Sequence, residues 1–157
     1  ENLVVESNIK TQAGTRIFIP MMDVGESASG SFVTFVSKQA PIADANSTIG
    51  KEKSYKLPEI NFDTEITPEA EIQLIFDKTA GDVLKAKGTG NLKLKIDHTG
   101  EFNMYGTYVI ENGDYLFTLQ KVINKRFRIV EGGNIAWNGD PYNAIIDIRA
   151  KYSLNAS

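Results

Sequence analysis

Residues 88–152 alternate, with few lapses, between apolar and polar side chains, and a period of two sustained over that length points to β-sheet rather than helix. The apolar positions are Leu92, Leu94 and Ile96; Phe102, Met104, Tyr108 and Ile110; Tyr115, Phe117 and Leu119; Phe127 and Ile129; Ile135 and Trp137; and Ala144, Ile146 and Ile148. Between them stand Lys93, Lys95, Asp97, Asn103, Thr107, Thr118, Gln120, Arg126, Arg128, Asn143, Asp147, Arg149 and Lys151. Successive side chains of a strand point to opposite faces, so one face of the expected sheet is apolar and the other wet.

The breaks between these runs carry turn chemistry. His98-Thr99-Gly100 and Asn112-Gly113 stand where short hairpin loops are expected, because Gly and Asn tolerate positive φ and primed turns match strand twist. Gly132-Gly133-Asn134 separates the next pair of runs and Asn138-Gly139-Asp140-Pro141 the last. The expectation is an antiparallel meander of about six strands.

Several short strings in this stretch resemble a known family. Gly100-Glu101-Phe102, Gly106-x-Tyr108, Gly113-x-Tyr115, Phe127-x-Ile129, Gly133-x-Ile135-x-Trp137-x-Gly139-Asp140-Pro141 and the closing Ala150-x-Tyr152 are similar to the C-terminal domain of the TamB translocation and assembly proteins, in the Bacteroidetes-type form. The most specific block is the aromatic followed by Gly-Asp-Pro and an alternating strand. Residues 57–157 carry the likeness well, and residues 1–56 carry it loosely. The resemblance implies an all-β fold, an antiparallel meander folded into a taco-like half-pipe with a hydrophobic interior groove and little or no helix. It further implies a periplasmic module of a protein anchored in the inner membrane, partnered by phospholipid and by a BamA/TamA-type outer-membrane barrel. The sixteen alternating positions from Leu92 to Ile148, Ala144 apart, would then line a lipid groove.

Composition removes other classes. A net charge of −3 over 157 residues and a pI near 5.2 leave no basic stripe to neutralise phosphates, so nucleic acid is not an expected partner. The chain has no cysteine, hence no disulfide framework, thiolate metal site or thiol nucleophile. No run of 18 apolar residues and no signal peptide appear. The chain opens at Glu1 without an initiator Met, and a piece of a longer protein is expected.

Upstream, Leu3-Val4-Val5 and Ile17-Phe18-Ile19 read as strands, since Pro20 would stop a helix early; Phe32–Val36 reads as a strand or one helical turn. Residues 38–56 turn to Ser, Ala, Asn, Lys and Pro and are expected to be a mobile loop. Within them Asn46-Ser47-Thr48 reads as a polar loop rather than a glycosylation site. Residues 1–56 are therefore expected to add N-terminal strands and a polar loop to the β structure of residues 57–157. Alternation resumes at Ile60, Phe62 and Ile66, then Ile72, Leu74 and Phe76, followed by a turn cluster at 77–82. Only residues 36–40 and 68–71 could supply a helical turn.

No residue set suggests catalysis, a metal or a cofactor. His98 is the sole histidine and sits in a turn, without HxH or HExxH spacing. Asp63, Glu65, Glu69 and Glu71 read as a solvated strand face rather than a glycosidase pair. Asp77, Asp82, Asp114 and Asp140 read as Asx turns rather than calcium ligands. No GxSxG, P-loop or GxGxxG after a strand is present. The apolar stripe leaves two readings, because the sealed core of a sandwich alternates in the same way as an open groove. A non-catalytic carbohydrate-binding or adhesive sandwich would need a flat aromatic platform, for which Trp137, Tyr105 and Tyr142 are the candidates. Unpaired sheet edges and an open apolar mouth would favour self-association.

Overall fold

The computed structural model describes residues 3–21, 57–119 and 122–153. Two long strands, β5 (Asp82–Ile96) and β6 (Phe102–Leu119), pair antiparallel from Ile96↔Phe102 to Val83↔Leu116 and carry the remaining strands on their outer edges. The others are β1 (Val4–Lys10), β2 (Arg16–Pro20), β3 (Glu59–Ile66), β4 (Glu71–Asp77), β7 (Ile123–Ile129), β8 (Asn134–Gly139), β9 (Ile145–Asp147) and β10 (Ala150–Lys151). All ten belong to one open sheet, and the described residues contain no helix.

The sheet divides into two wings that share β5 and β6. In the first wing, β1 pairs β3, β3 pairs residues 90–96 of β5, β8 pairs residues 104–109 of β6, and β9 pairs β8. In the second, β2 pairs β4, β4 pairs residues 82–87 of β5, β7 pairs residues 113–119 of β6, and β10 pairs β7. Between the wings every chain segment turns a corner or bends along one crease. The corner after β1 is bound to the corner after β3: Thr67 N donates to Thr11 Oγ1 at 2.9 Å, and Thr67 Oγ1 to Thr11 O at 3.2 Å. On the other side, Ile110 N donates to Gly133 O at 2.7 Å and Gly132 N to Ile110 O at 2.9 Å.

β5 and β6 cross the crease without a break. Lys87 faces Asn112 and Gly88 faces Ile110, so Glu111 is one residue more than β5 can match. Such a bulge bends the strand and raises its twist. The bend brings backbones so close that a Cβ on Gly88 would lie 2.0 Å from Val109 O, and one on Gly90 2.7 Å from Thr107 O. Only glycine fits at these positions.

Three expectations change. No hairpin forms at Asn112-Gly113: both residues lie inside β6, Gly113 is not among the glycines with positive φ, and its missing side chain serves close approach to Lys85 O instead. β7 and β8 do not pair with each other, because the crease sends them to successive stretches of the same β6 edge. Antiparallel pairing holds from β3 to β10, whereas β1 and β2 join parallel to β3 and β4. β1–β2 and β3–β4 cross the crease in the same direction, and the connection between β2 and β3 has the length that a parallel return needs. The turn at His98-Thr99-Gly100 forms as expected, with Gly100 at φ 88° and Asp97 Oδ1 accepting from Thr99 N at 2.8 Å. At 68–71 the chain makes a turn, Ala70 N to Thr67 O, and no helix. The expectations for Phe32–Val36, residues 36–40, Asn46 and residues 38–56 lie outside the described residues.

Replacing Gly88 by Ala should lower stability by about 3 kcal/mol or more, since a backbone carbonyl stands where the methyl would go. The same change at Asn91, exposed on the outer face, should cost under about 0.5 kcal/mol. Urea midpoints compare the two, and equal losses would refute the crease as the tight point.

Candidate hydrophobic groove

Pairing register collects the inward side chains into rows across the sheet. Toward the rim of the first wing, Phe62, Leu94 and Met104 form one row; next come Thr64, Leu92, Gly106 and Trp137, then Ile66, Gly90, Tyr108, Ile135 and Ile146. Past the crease, Ile72, Ala86, Gly113 and Ile129 form a row, followed by Leu74, Leu84, Tyr115 and Phe127. Burial grades along these rows. Ile66, Ile72, Leu74, Leu84, Ala86, Tyr108, Ile110 and Ile135 are 0–2% exposed near the crease. Leu92, Met104, Ile129 and Trp137 follow at 3–4%, and Leu94, Ile96, Phe102, Tyr115, Phe117 and Phe127 are only half-buried.

Ile146 and Ile148 are half-buried and pack on the same core, and the Leu119 side chain lies outside the described residues. Every other position expected on the apolar face thus points inward, but the crease seals some of them while the rims leave others half open. Missing from that expectation were Ile66, Ile72, Leu74, Leu84 and Ile19, which form much of the core. Alternation at Ile60–Phe76 and the apolar run 17–19 were the signals for all but Leu84, which a bare Val83-Leu84 pair does not assign to a face.

Tyr108 lies in the crease. Its ring contacts the inward face of Gly90, Cδ2 standing 3.3 Å from where a Cβ would be. Its hydroxyl donates to Ala86 O at 3.2 Å, on the far side of the bend. Burial first, and the carboxylates of Glu111 and Glu71 second, push its pKa above the ordinary tyrosine value.

Between the wings, Ile17, Ile19 and Pro20 of β2 face Ile66, Leu92, Leu94, Phe102 and Met104 across an apolar cavity of about 280 Å³, closed at one side by Pro141. Its one polar lining side chain is Thr64, whose Oγ1 is buried without a hydrogen-bond partner. At the opposite rim the inner face is aromatic. Phe76 meets Tyr115 edge-on at 5.8 Å, Tyr115 lies 6.3 Å from both Phe117 and Phe127, and Phe127 lies 5.4 Å from Tyr152. Lys125 Nζ donates to the Tyr152 hydroxyl at 2.8 Å and sits 4.9 Å from its ring centre.

Of the aspartates expected in Asx turns, Asp77 and Asp140 make them, whereas Asp82 and Asp114 lie in β5 and β6. Asp77 Oδ1 accepts from Thr79 N and Ala80 N, and Asp140 Oδ1 from Tyr142 N, as Asx turns do. In the 97–100 turn the Thr99 hydroxyl foremost, with the Thr99 and Glu101 amides, holds the Asp97 carboxyl below its ordinary value. Glu65 pairs with Lys10 at 2.8 Å and Asp63 with Lys93 at 3.5 Å on the outer face. Among the described residues no group of three or more His, Asp or Glu side chains could hold a metal. Trp137 is 3% and Tyr105 38% exposed, on opposite faces of the sheet, so they share no aromatic platform.

The profile of the TamB C-terminal domain matches residues 1–157, the whole chain. The chain belongs to the TamB family. Comparison with curated proteins returns no match. TamB proteins are envelope proteins that span the periplasm, act in outer-membrane protein assembly or lipid transport, and associate with the TamA outer-membrane barrel. The TamB match takes in β1 and β2, which are built into the same sheet as the rest.

Burial first, then the hydrogen bond to Asp82, pushes the Tyr115 pKa from 10 up to about 12. The folded chain therefore keeps this proton after the unfolded chain has lost it, so the associated stability, full below about pH 10, should be lost as pH rises through about 12. Urea midpoints on either side of that window should fall less for Tyr115→Phe than for the unaltered chain. An equal fall would show that Tyr115 does not contribute.

Proposed function

We propose that the inner face of this TamB-family sheet is a periplasmic lipid conduit that also serves outer-membrane protein assembly, holding acyl chains or nascent strands between its wings. In this reading the parent protein is anchored in the inner membrane, reaches toward the outer membrane and hands cargo to a BamA/TamA-type barrel. The observation that carries it is the graded inner face, sealed at the crease and half-exposed along Leu94, Ile96, Phe102, Tyr115, Phe117 and Phe127. A half-buried apolar strip lets an acyl chain slide while its headgroup stays wet, at about 0.8 kcal/mol for each methylene kept from water. The cavity behind Met104 has room for a short length of chain, being larger than the roughly 150 Å³ that suffices for benzene. The chain's role is that of a binding and guiding module without catalysis or cofactor. Edge strands β1 and β2, with Val4, Val5, Ile9 and Phe18 exposed, would favour self-association of the isolated chain.

A photo-crosslinker at Phe117 or Met104 in the parent protein should capture phospholipid, and the same probe at Lys93 on the outer face should not. Phe117→Asp should block transport while costing less than about 2 kcal/mol of stability, because a rim carboxylate still reaches water. Unfolding by that substitution, without lipid capture at any inward position, would reject the conduit in favour of a sealed sandwich.

A further inference from the structure

The outer faces of the two wings differ in charge. On the first wing cations meet anions, Lys10 with Glu65 and Lys93 with Asp63. On the second wing Lys85, Arg126, Arg128 and Lys151 are all exposed, and none forms an ion pair among the described residues. They are neighbours by register: Lys85 faces Asp114, Asp114 faces Arg128, and Arg128 faces Lys151 directly. Two cations directly opposite in a sheet repel each other and destabilise it. Asp114, between Lys85 and Arg128, and Glu111 and Glu71 are the carboxylates on this wing's outer side, and Leu116 and Val83 form the half-buried floor of a shallow depression of about 350 Å³ between Lys85 and Arg126.

The same wing ends in an apolar tip. Val122, just before β7, is 82% exposed and Ile123 is 45% exposed. Arg126 and Arg128 follow on the outward phase of β7, whereas Ile123 shares the inward phase of Phe127 and Ile129, so Val122 is the apolar side chain at the end of the strand that carries these cations. An exposed apolar tip backed by a spread of cations matches the two layers of a bilayer surface, with the apolar side chains at the acyl boundary and the cations at the phosphates.

We propose that the outer face of the second wing, with Val122 at its end, forms a docking surface for an anionic phospholipid bilayer. The cations lie on the opposite face of the sheet from the apolar rows, and the proposal does not depend on what the groove carries. A chain with net charge −3 is repelled by an anionic membrane in every orientation except one that presents such a patch, so docking would also orient the sheet, second wing toward the membrane. The partner is a lipid surface rather than free phosphate because the cations are spread over three strands around an apolar floor and converge on no single point.

The 157-residue chain should co-sediment with equimolar phosphatidylcholine and phosphatidylglycerol vesicles and stay in solution with phosphatidylcholine alone, and added salt should release it. Arg126→Gln with Arg128→Gln should weaken partitioning about fivefold for each charge removed. Lys85→Gln with Lys151→Gln gives the same readout should the first pair fail to fold, as judged by near-ultraviolet circular dichroism. Lys10→Gln with Lys93→Gln, which removes the same charge from the first wing, should leave partitioning unchanged. A polarity-sensitive fluorophore at Val122 should shift to the blue on anionic vesicles, and the same label at Leu3 should not. Equal losses from both wings, or equal binding to both vesicle types, would overturn the proposal. So would indifference to either vesicle, which would leave an acidic protein as the polyanion that this face meets.

Discussion

The close approach of β5 and β6 at Gly88 and Gly90 governs the rest of the molecule. A sheet with side chains at those positions could not bring the two backbones within 2.0–2.7 Å of a virtual Cβ, and the bulge at Glu111 would have no bend to accommodate. With the glycines present, a single sheet folds so that its own apolar face covers itself. Tyr108 then lies against Gly90 and ties the two sides of the bend through its bond to Ala86 O. The ring supplies apolar area where glycine supplies none, and the hydroxyl supplies a partner for a buried carbonyl.

Sealed and half-exposed apolar surface consequently sit at different distances from the crease. Near it, Ile66, Ile72, Leu84, Ile110 and Ile135 are fully buried, and truncating such side chains costs about 2–5 kcal/mol each. At the rims the same alternation continues, but the facing wing no longer covers it, so Phe102 on one wing and Phe117 on the other stay half exposed. One set of strands thus carries both fully buried and half-exposed apolar positions on the same face. Whether an apolar position is sealed or half exposed, left open by alternation, becomes a matter of position along the strand.

The inward phase of residues 92–104 and 123–137 was legible because their alternation is unbroken. Asn112-Gly113 misled because the same dipeptide serves a primed turn and a tight backbone contact; Gly113 differs from a turn glycine only in φ and in its distance from Lys85 O. The pairing of both β7 and β8 with β6 was illegible for a related reason. It follows from where a strand bends, which depends on the bulge register between Lys87 and Gly88. β1 and β2 were readable as strands, but their parallel attachment requires partners 55 residues downstream, Val4 meeting Glu59 and Arg16 meeting Glu71.

By itself the sequence determined sidedness: which residues face in, which face out, the all-β class and the absence of any visible catalytic set. Side-chain direction along a strand is a local property of backbone geometry, and composition is a property of the chain alone. The tertiary structure decided the crease, the order of the strands, the division of one apolar face into a sealed floor and a half-open rim, and the contrast between a charge-paired first wing and a basic second wing. These depend on which Cβ positions come within a few ångströms of a neighbouring backbone and on which charges lie opposite each other, and both are set by register between segments far apart in the chain.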